Sequence, residues 1–334
     1  MNHLKTAASN LTVETINPAV AVRAELNAVE GKLANLLNSN EALITEICHY
    51  LVDGAGKRLR PLFILLVYRA CGGTDHGVQD AVDAAIALEL IHSATLLHDD
   101  IIDGGVLRRG KPSAFARYGC APTLVAGDYL FCRAFELCGR FEEHLVRTAA
   151  GACIQLTEGE MMEGRMRHDA AANLDNYIAV IRRKTASLFA AGGRVAADLA
   201  GAPHATIEAM ERLGVAVGLA FQMIDDLLDV LGPEEKIGKP VGSDLRAGII
   251  SLPVVLGILH SQELKRLFGS QASLDGDGLA RALDLMREPA IVARGRAMAA
   301  EQVDCARTIL SRLEASPYRD SLAVFIEEQA DREV

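Results

Sequence analysis

Between residues 20 and 37 the apolar side chains Leu26, Val29, Leu33, Leu36 and Leu37 recur at helical spacing, which predicts an amphipathic helix with one face turned to a core. Comparable periodicity or long apolar content marks 41–52, 61–70, 78–103, 121–138, 145–167, 174–199, 206–231, 252–267 and 279–313. The breaks fall where chain punctuation predicts them, at Gly54-Ala55-Gly56 and at Gly72-Gly73. Pro61 suits a first helical turn, where a missing N–H costs nothing. No segment alternates convincingly like a strand. No Pro- or Ser-rich linker and no internal repeat divides the chain, so one all-α domain over 1–334 is expected, with 1–20 as its N-terminal arm.

Composition sharpens this picture. Half the residues are apolar, aromatics make up only 4%, and Trp is absent, which fits a large helical core better than a sandwich. A formal net charge of −10 argues against nonspecific nucleic-acid binding but leaves room for a small anion held by local Arg and Lys. Seven scattered cysteines, none spaced as C-x-x-C, read as reduced thiols of a cytoplasmic protein. The start of the chain lacks a basic segment followed by an apolar one, and no run approaches the roughly 18 apolar residues of a membrane span. A soluble protein without a transmembrane segment is the expectation.

Two apolar helical stretches end in the same pattern: Asp99-Asp100-Ile101-Ile102-Asp103 and Asp225-Asp226-Leu227-Leu228-Asp229. Positions i and i+4 share a helix face, so Asp99 projects with Asp103 and Asp225 with Asp229, while Asp100 and Asp226 lie about 100° round. Such carboxylate sets suit Mg²⁺, which takes a few protein oxygens plus water and phosphate rather than a full protein cage. A single cluster of this kind also occurs as a solvated helix end. Two matching clusters after strongly apolar stretches favour metal. Basic residues stand where a diphosphate needs them: Lys57, Arg58 and Arg60 after a Gly-rich turn, Arg108-Arg109 after the first cluster, and Lys184 beside Thr185.

Taken together, G-K-R-L-R-P at 56–61, L-I-H-S-A-T-L-L-H-D-D-I-I-D at 90–103, R-R-G-K at 108–111, G-D at 127–128, K-T at 184–185, F-Q-M-I-D-D-L-L-D at 221–229 and G-K-P at 238–240 resemble the trans-polyprenyl diphosphate synthases. The resemblance covers about 51–253. It implies the isoprenoid synthase fold, an antiparallel helix bundle around a central cavity, and prenyl transfer that condenses an allylic diphosphate with isopentenyl diphosphate. It further implies that Asp99, Asp103, Asp225 and Asp229, with Asp100 alongside, hold Mg²⁺, about three ions once substrate is bound. Arg108, Lys184 and Lys239 are implied to grip the allylic diphosphate. Lys57, Arg60, His92 and Arg109 are implied to bind isopentenyl diphosphate, and Thr185 and Gln222 to steady the allylic cation through their oxygen dipoles. A homodimer is the family expectation, with a small regulatory subunit as the other arrangement.

Product length in this family depends on the helix before the first acidic cluster. Ala94 and Thr95 lie one turn back, and their small size implies an open channel and a medium or long product, such as a quinone side chain. Phe131 or Phe135 is expected to form the floor. Gly248-Ile249 departs from the common Gly-Lys pair, removing one phosphate-binding cation and leaving self-sufficiency open. The competing readings are a short-chain synthase, a partner-dependent subunit, a class I terpene cyclase and a noncatalytic regulatory subunit. The all-Asp second cluster and the basic site for a second substrate favour chain extension over cyclisation, and intact clusters favour a catalytic chain.

Overall fold

A computed structural model describes residues 17–52, 56, 58–232, 241–269 and 276–330. The expected helices are present: the chain is 79% helical with almost no strand. Near the N-terminus, α1 (Pro18–Ala21) and α2 (Arg23–Leu36) are separated by a break at Val22, where a single helix was expected. Next come α3 (Ala42–Val52), α4 (Leu59–Ala70) and the central α5 (Val78–Ile102). After α5 a two-stranded hairpin, β1 (Leu107–Arg108) and β2 (Lys111–Pro112), precedes α6 (Ala114–Tyr118), α7 (Cys120–Cys138) and α8 (Glu143–Arg165). The following α9 (Leu174–Ile181) runs through a π-helical turn, Arg182–Ala186, into α10 (Ser187–Leu199), and α11 (His204–Leu231) follows.

The C-terminal part holds α12 (Ser243–Arg246), α13 (Leu252–His260), α14 (Gln262–Gly269), α15 (Gly276–Met286), α16 (Pro289–Leu310) and α17 (Pro317–Ala330). Two long sequence segments each divide here. The 252–267 stretch breaks at Ser261, whose backbone is extended (φ −129, ψ 119). The 279–313 stretch breaks before Pro289, which lacks the N–H that a continuous helix needs and so opens α16 at its first turn.

Two large apolar clusters organise these elements. One gathers α2 to α5, α7, α10 and α17, with Phe63 packed edge-on against Phe189 at 5.6 Å. The other joins α9, α13, α14 and α15 around Tyr177, Leu252 and Phe268. Helix α11 belongs to both: Leu213, Val217 and Ala220 face the first cluster, and Leu219, Met223 and Leu227 the second. Its contact with α10 is close because glycines replace side chains. A Cβ at Gly214 would stand 2.2 Å from the carbonyl oxygen of Phe189, and one at Gly218 2.5 Å from Cα of Ala186. The second acidic motif is thereby held against the π-helical turn.

Helix α5 is long and apolar enough to cross a membrane, yet 83% of its most apolar window is buried inside the fold, as a core helix would be. Its buried Asp83 is matched by Lys32 Nζ at 2.5 Å, by Gln79 and by Arg140. All seven thiols are free.

Candidate active site

At the end of α5, Asp103 is the C-cap and Asp99 lies one turn back. Burial pushes the Asp99 carboxyl up to about 7, with Glu160 and Asp103 adding to the rise and Lys184 and Arg108 opposing it. Asp100 is buried, and its Oδ1 accepts from Arg108 Nε at 2.8 Å while Oδ2 has no hydrogen-bond partner. Asp103 pairs with Arg167, a residue the sequence reading left unassigned.

Across from this motif, α8 brings Glu160 and Glu163, each 2.6 Å from Lys184 Nζ. Burial acts to lower the Lys184 pKa, but Glu163, Asp99 and Glu160 outweigh it and hold the ammonium above its ordinary value. This approach depends on Gly159: a Cβ there would meet the Lys184 backbone nitrogen at 2.7 Å. Lys184 and Thr185 lie on a π-helical turn, a rare element found often at functional sites and invisible in the periodicity.

The next residue turns the other way. Thr185 Oγ1 donates to Gln222 Oε1 at 2.7 Å, and Gln222 Nε2 donates to Asp226 Oδ1 at 2.8 Å. Asp226 Oδ2 also accepts from Tyr177 Oη at 2.8 Å and from the Leu252 N–H at 2.9 Å. Burial pushes this carboxyl up to about 8, with Asp244 adding and the three donors opposing. Asp229 is equally enclosed: Ser243 Oγ donates to its Oδ1 at 2.7 Å and the Asp244 N–H to its Oδ2 at 3.3 Å. Asp225 is the exposed member of the second motif. Asp100 and Asp229 are thus both buried and both accept protein hydrogen bonds.

A basic cluster lies along α5 from the acidic end. The R-R-G-K segment forms the hairpin, with Arg109 (φ 52) and Gly110 (φ 73) as a two-residue turn in the left-handed region. Arg58, also left-handed (φ 46), binds Glu30 at 2.6 Å and Glu89 at 3.4 Å. Arg60 Nε is buried without a hydrogen-bond partner, and its guanidinium lies 5.0 Å from the Phe189 ring centroid. Burial lowers Arg60 to about 10, against the pull of Glu89 and Asp225. Burial, then Arg60, Arg108, Arg109 and Arg58, push His92 well below its ordinary range, so its ring is neutral near pH 7. Glu89, only 6% exposed, is the counter-charge of this cluster, and the sequence reading missed it. Its position one turn before His92 on the same helix face was the available signal. Lys57 and Lys239 lie outside the described residues.

Ala94 and Thr95 are buried on α5. Further down, Ala84, Ala87 and Leu88 face Cys138, Phe141, Leu145, Val146, Ala149 and Val195 across an apolar pocket, about 22 Å along the axis from Asp99 to Ala84. Phe131 is half-buried against His98, 5.8 Å between ring centroids, and Phe135 is 48% exposed. The buried face of α7 includes Gly127, Leu130, Ala134 and Leu137, and Phe135 lies off that face. Gly127 itself clears the space His98 fills, since a Cβ would lie 2.2 Å from His98 Nε2.

The carboxylate oxygens of Asp99, Asp103 and the exposed Asp225, with Lys184 and Arg108 close by, are the hard donors and cations that suit a divalent cation arriving with a diphosphate. Among the described residues no three acidic or other ligating side chains converge on one point, which leaves coordination to be completed by phosphate and water.

These features have direct counterparts. The polyprenyl synthetase family model matches residues 41–286, and this chain belongs to that family. The chain is 33% identical to nonaprenyl diphosphate synthase of Mycobacterium tuberculosis over 94% of each chain. It is also 33% identical to heptaprenyl diphosphate synthase component 2 of Geobacillus stearothermophilus, covering 90% of this chain and 95% of that one. A crystal structure of polyprenyl synthase from Caulobacter crescentus, complexed with calcium and isoprenyl diphosphate, superposes with a TM-score of 0.90 at 33% identity, covering 95% and 97% of the two chains. The isoprenoid synthase fold and prenyltransferase activity follow.

Proposed function

We propose that the chain is a single-domain, Mg²⁺-dependent synthase that adds isopentenyl diphosphate units to an allylic diphosphate, giving a medium or long all-trans product suited to a quinone side chain. The observation that carries this reading is the pair Lys184-Thr185: one residue binds the carboxylates beside the first aspartate motif, and its neighbour bonds into the second. Two motifs distant in sequence are so joined at one turn. Medium and long-chain synthases among the relatives support the product class.

Asp99, Asp103 and Asp225 are the metal carboxylates in this reading, while Asp100 and Asp229 position their surroundings. Bound Mg²⁺ supplies Lewis acidity and neutralises charge on the departing diphosphate. Arg108, Lys184 and Lys239 bind that diphosphate, and their positive charge favours cleavage of the allylic C–O bond. Lys57, Arg60 and Arg109 hold the diphosphate of the incoming isopentenyl unit, with neutral His92 beside it. The Thr185 and Gln222 oxygens, oriented by their mutual hydrogen bond, face the allylic cation. The isopentenyl double bond attacks that cation, and the resulting proton is lost to the released diphosphate. The apolar core excludes water that would quench the cation.

The exposed apolar side chains Leu124, Val125 and Phe135 on α7 and Ile154 and Met161 on α8 support a homodimer, and in this reading the enzyme works in the cytoplasm. The test is to incubate the purified chain with Mg²⁺, farnesyl or geranylgeranyl diphosphate and labelled isopentenyl diphosphate, then size the products. A ladder ending at one long polyprenyl length supports the reading. No incorporation, alone or with a relative's small subunit, sinks it.

A further inference from the structure

Arg167 lies just beyond α8, and its guanidinium pairs with Asp103 of the first aspartate motif. The turn presenting it is braced on both sides. The Met166 N–H donates to Glu163 O at 3.0 Å, and the His168 N–H donates to Gly248 O at 2.9 Å. His168 holds a left-handed backbone (φ 58), which a side-chain-bearing residue keeps only where its surroundings enforce it. Its ring packs on Phe268 at 5.8 Å, and the Ala171 N–H closes the turn on Asp169 Oδ1 at 2.8 Å. Main-chain bonds thus place Arg167 at the acidic end of α5, independently of its ion pair.

The pair itself is loosely held, with side chains 26% and 30% exposed, and such pairs exchange partners at little cost. An Asp103 oxygen that binds a cation no longer serves the guanidinium. The released fork of N–H donors then lies beside the position of an incoming diphosphate, whose oxygens it matches better than a carboxylate on an exposed helix end. We propose that Arg167 is a further diphosphate-binding residue of the allylic site, held on Asp103 in the substrate-free enzyme and transferred to the diphosphate when metal loads. This rests on the synthase reading above.

The test compares wild type, R167Q, R167K and R165Q, the last at an exposed neighbouring arginine. Mg²⁺ is titrated calorimetrically onto the protein alone, then inorganic pyrophosphate with Mg²⁺, and kcat and KM are measured for farnesyl diphosphate. R167Q is expected to bind Mg²⁺ alone at least as tightly as wild type, to bind pyrophosphate roughly tenfold more weakly and to raise the allylic KM more than it lowers kcat. R167K should recover part of the loss and R165Q should match wild type. R167Q with wild-type pyrophosphate affinity and allylic KM overturns the proposal, and if that variant misfolds, R167K with wild-type affinity and KM does so. A wild-type chain that binds pyrophosphate but extends no allylic substrate overturns the synthase reading instead, and the titrations still decide what Arg167 binds.

Discussion

The two Asp-Asp-x-x-Asp motifs are nearly the same in sequence and opposite in setting. The first ends a helix, and its partners are cations: Arg108 on Asp100, Arg167 on Asp103 and Lys184 close to Asp99. The second lies within α11, and Asp226 and Asp229 accept from uncharged donors: Tyr177, Gln222, Ser243 and the N–H groups of Leu252 and Asp244. Charged partners at a partly exposed end exchange readily for metal and phosphate. Neutral donors in a buried network fix geometry and bind the C-terminal helices to the site. In the proposed reading the first motif is the one that binds, and two of the three aspartates of the second have a holding role.

The sharpest way to break this contrast is to remove one carboxylate from each side. D99A should cut turnover on the order of a thousandfold or more, about 4 kcal/mol of barrier, with a melting temperature close to wild type. D226A should do the reverse first, losing about 3 kcal/mol of stability in a denaturant titration because three donors are left without an acceptor. If D226A melts normally, the second motif is not the structural one. Next in size, G159A should cost about 1–3 kcal/mol, because its Cβ would strike the Lys184 backbone rather than a movable side chain. Its allylic KM should rise with the loss of register between α8 and the π-helical turn.

The pH dependence bears first on Asp99, with Asp226 titrating in the same range. With Asp99 raised to about 7, the carboxyl carries a proton below that pH and a metal has to displace it, whereas above it the carboxylate is already ionised. The Mg²⁺ concentration for half-saturation should therefore rise roughly tenfold on going from about pH 8 to about pH 6, and a flat profile would place the metal elsewhere. The smallest effect concerns the tail pocket. L145A, at the apolar pocket between α5 and α8, should lengthen the longest product by about one isoprene unit, whereas F135A on the outer face should leave it unchanged, as read by chromatography of the dephosphorylated products.

By itself the sequence determined the helices, because 3.6-residue periodicity and Gly or Pro breaks are local properties of the chain, and the family, because seven ordered motifs are read directly from residue identity. It also singled out the candidate aspartates and most of the candidate cations. Only the tertiary structure distinguished the surroundings of the two acidic motifs, since burial and partners such as Tyr177, Glu160 and Arg167 come from segments far apart in the chain. It alone supplied the hairpin that orients Arg108 and Arg109, the π-helical turn at Lys184-Thr185, and the outward direction of Phe135. Those features follow from which helix faces meet, and a periodicity says that a face is apolar without saying what will cover it.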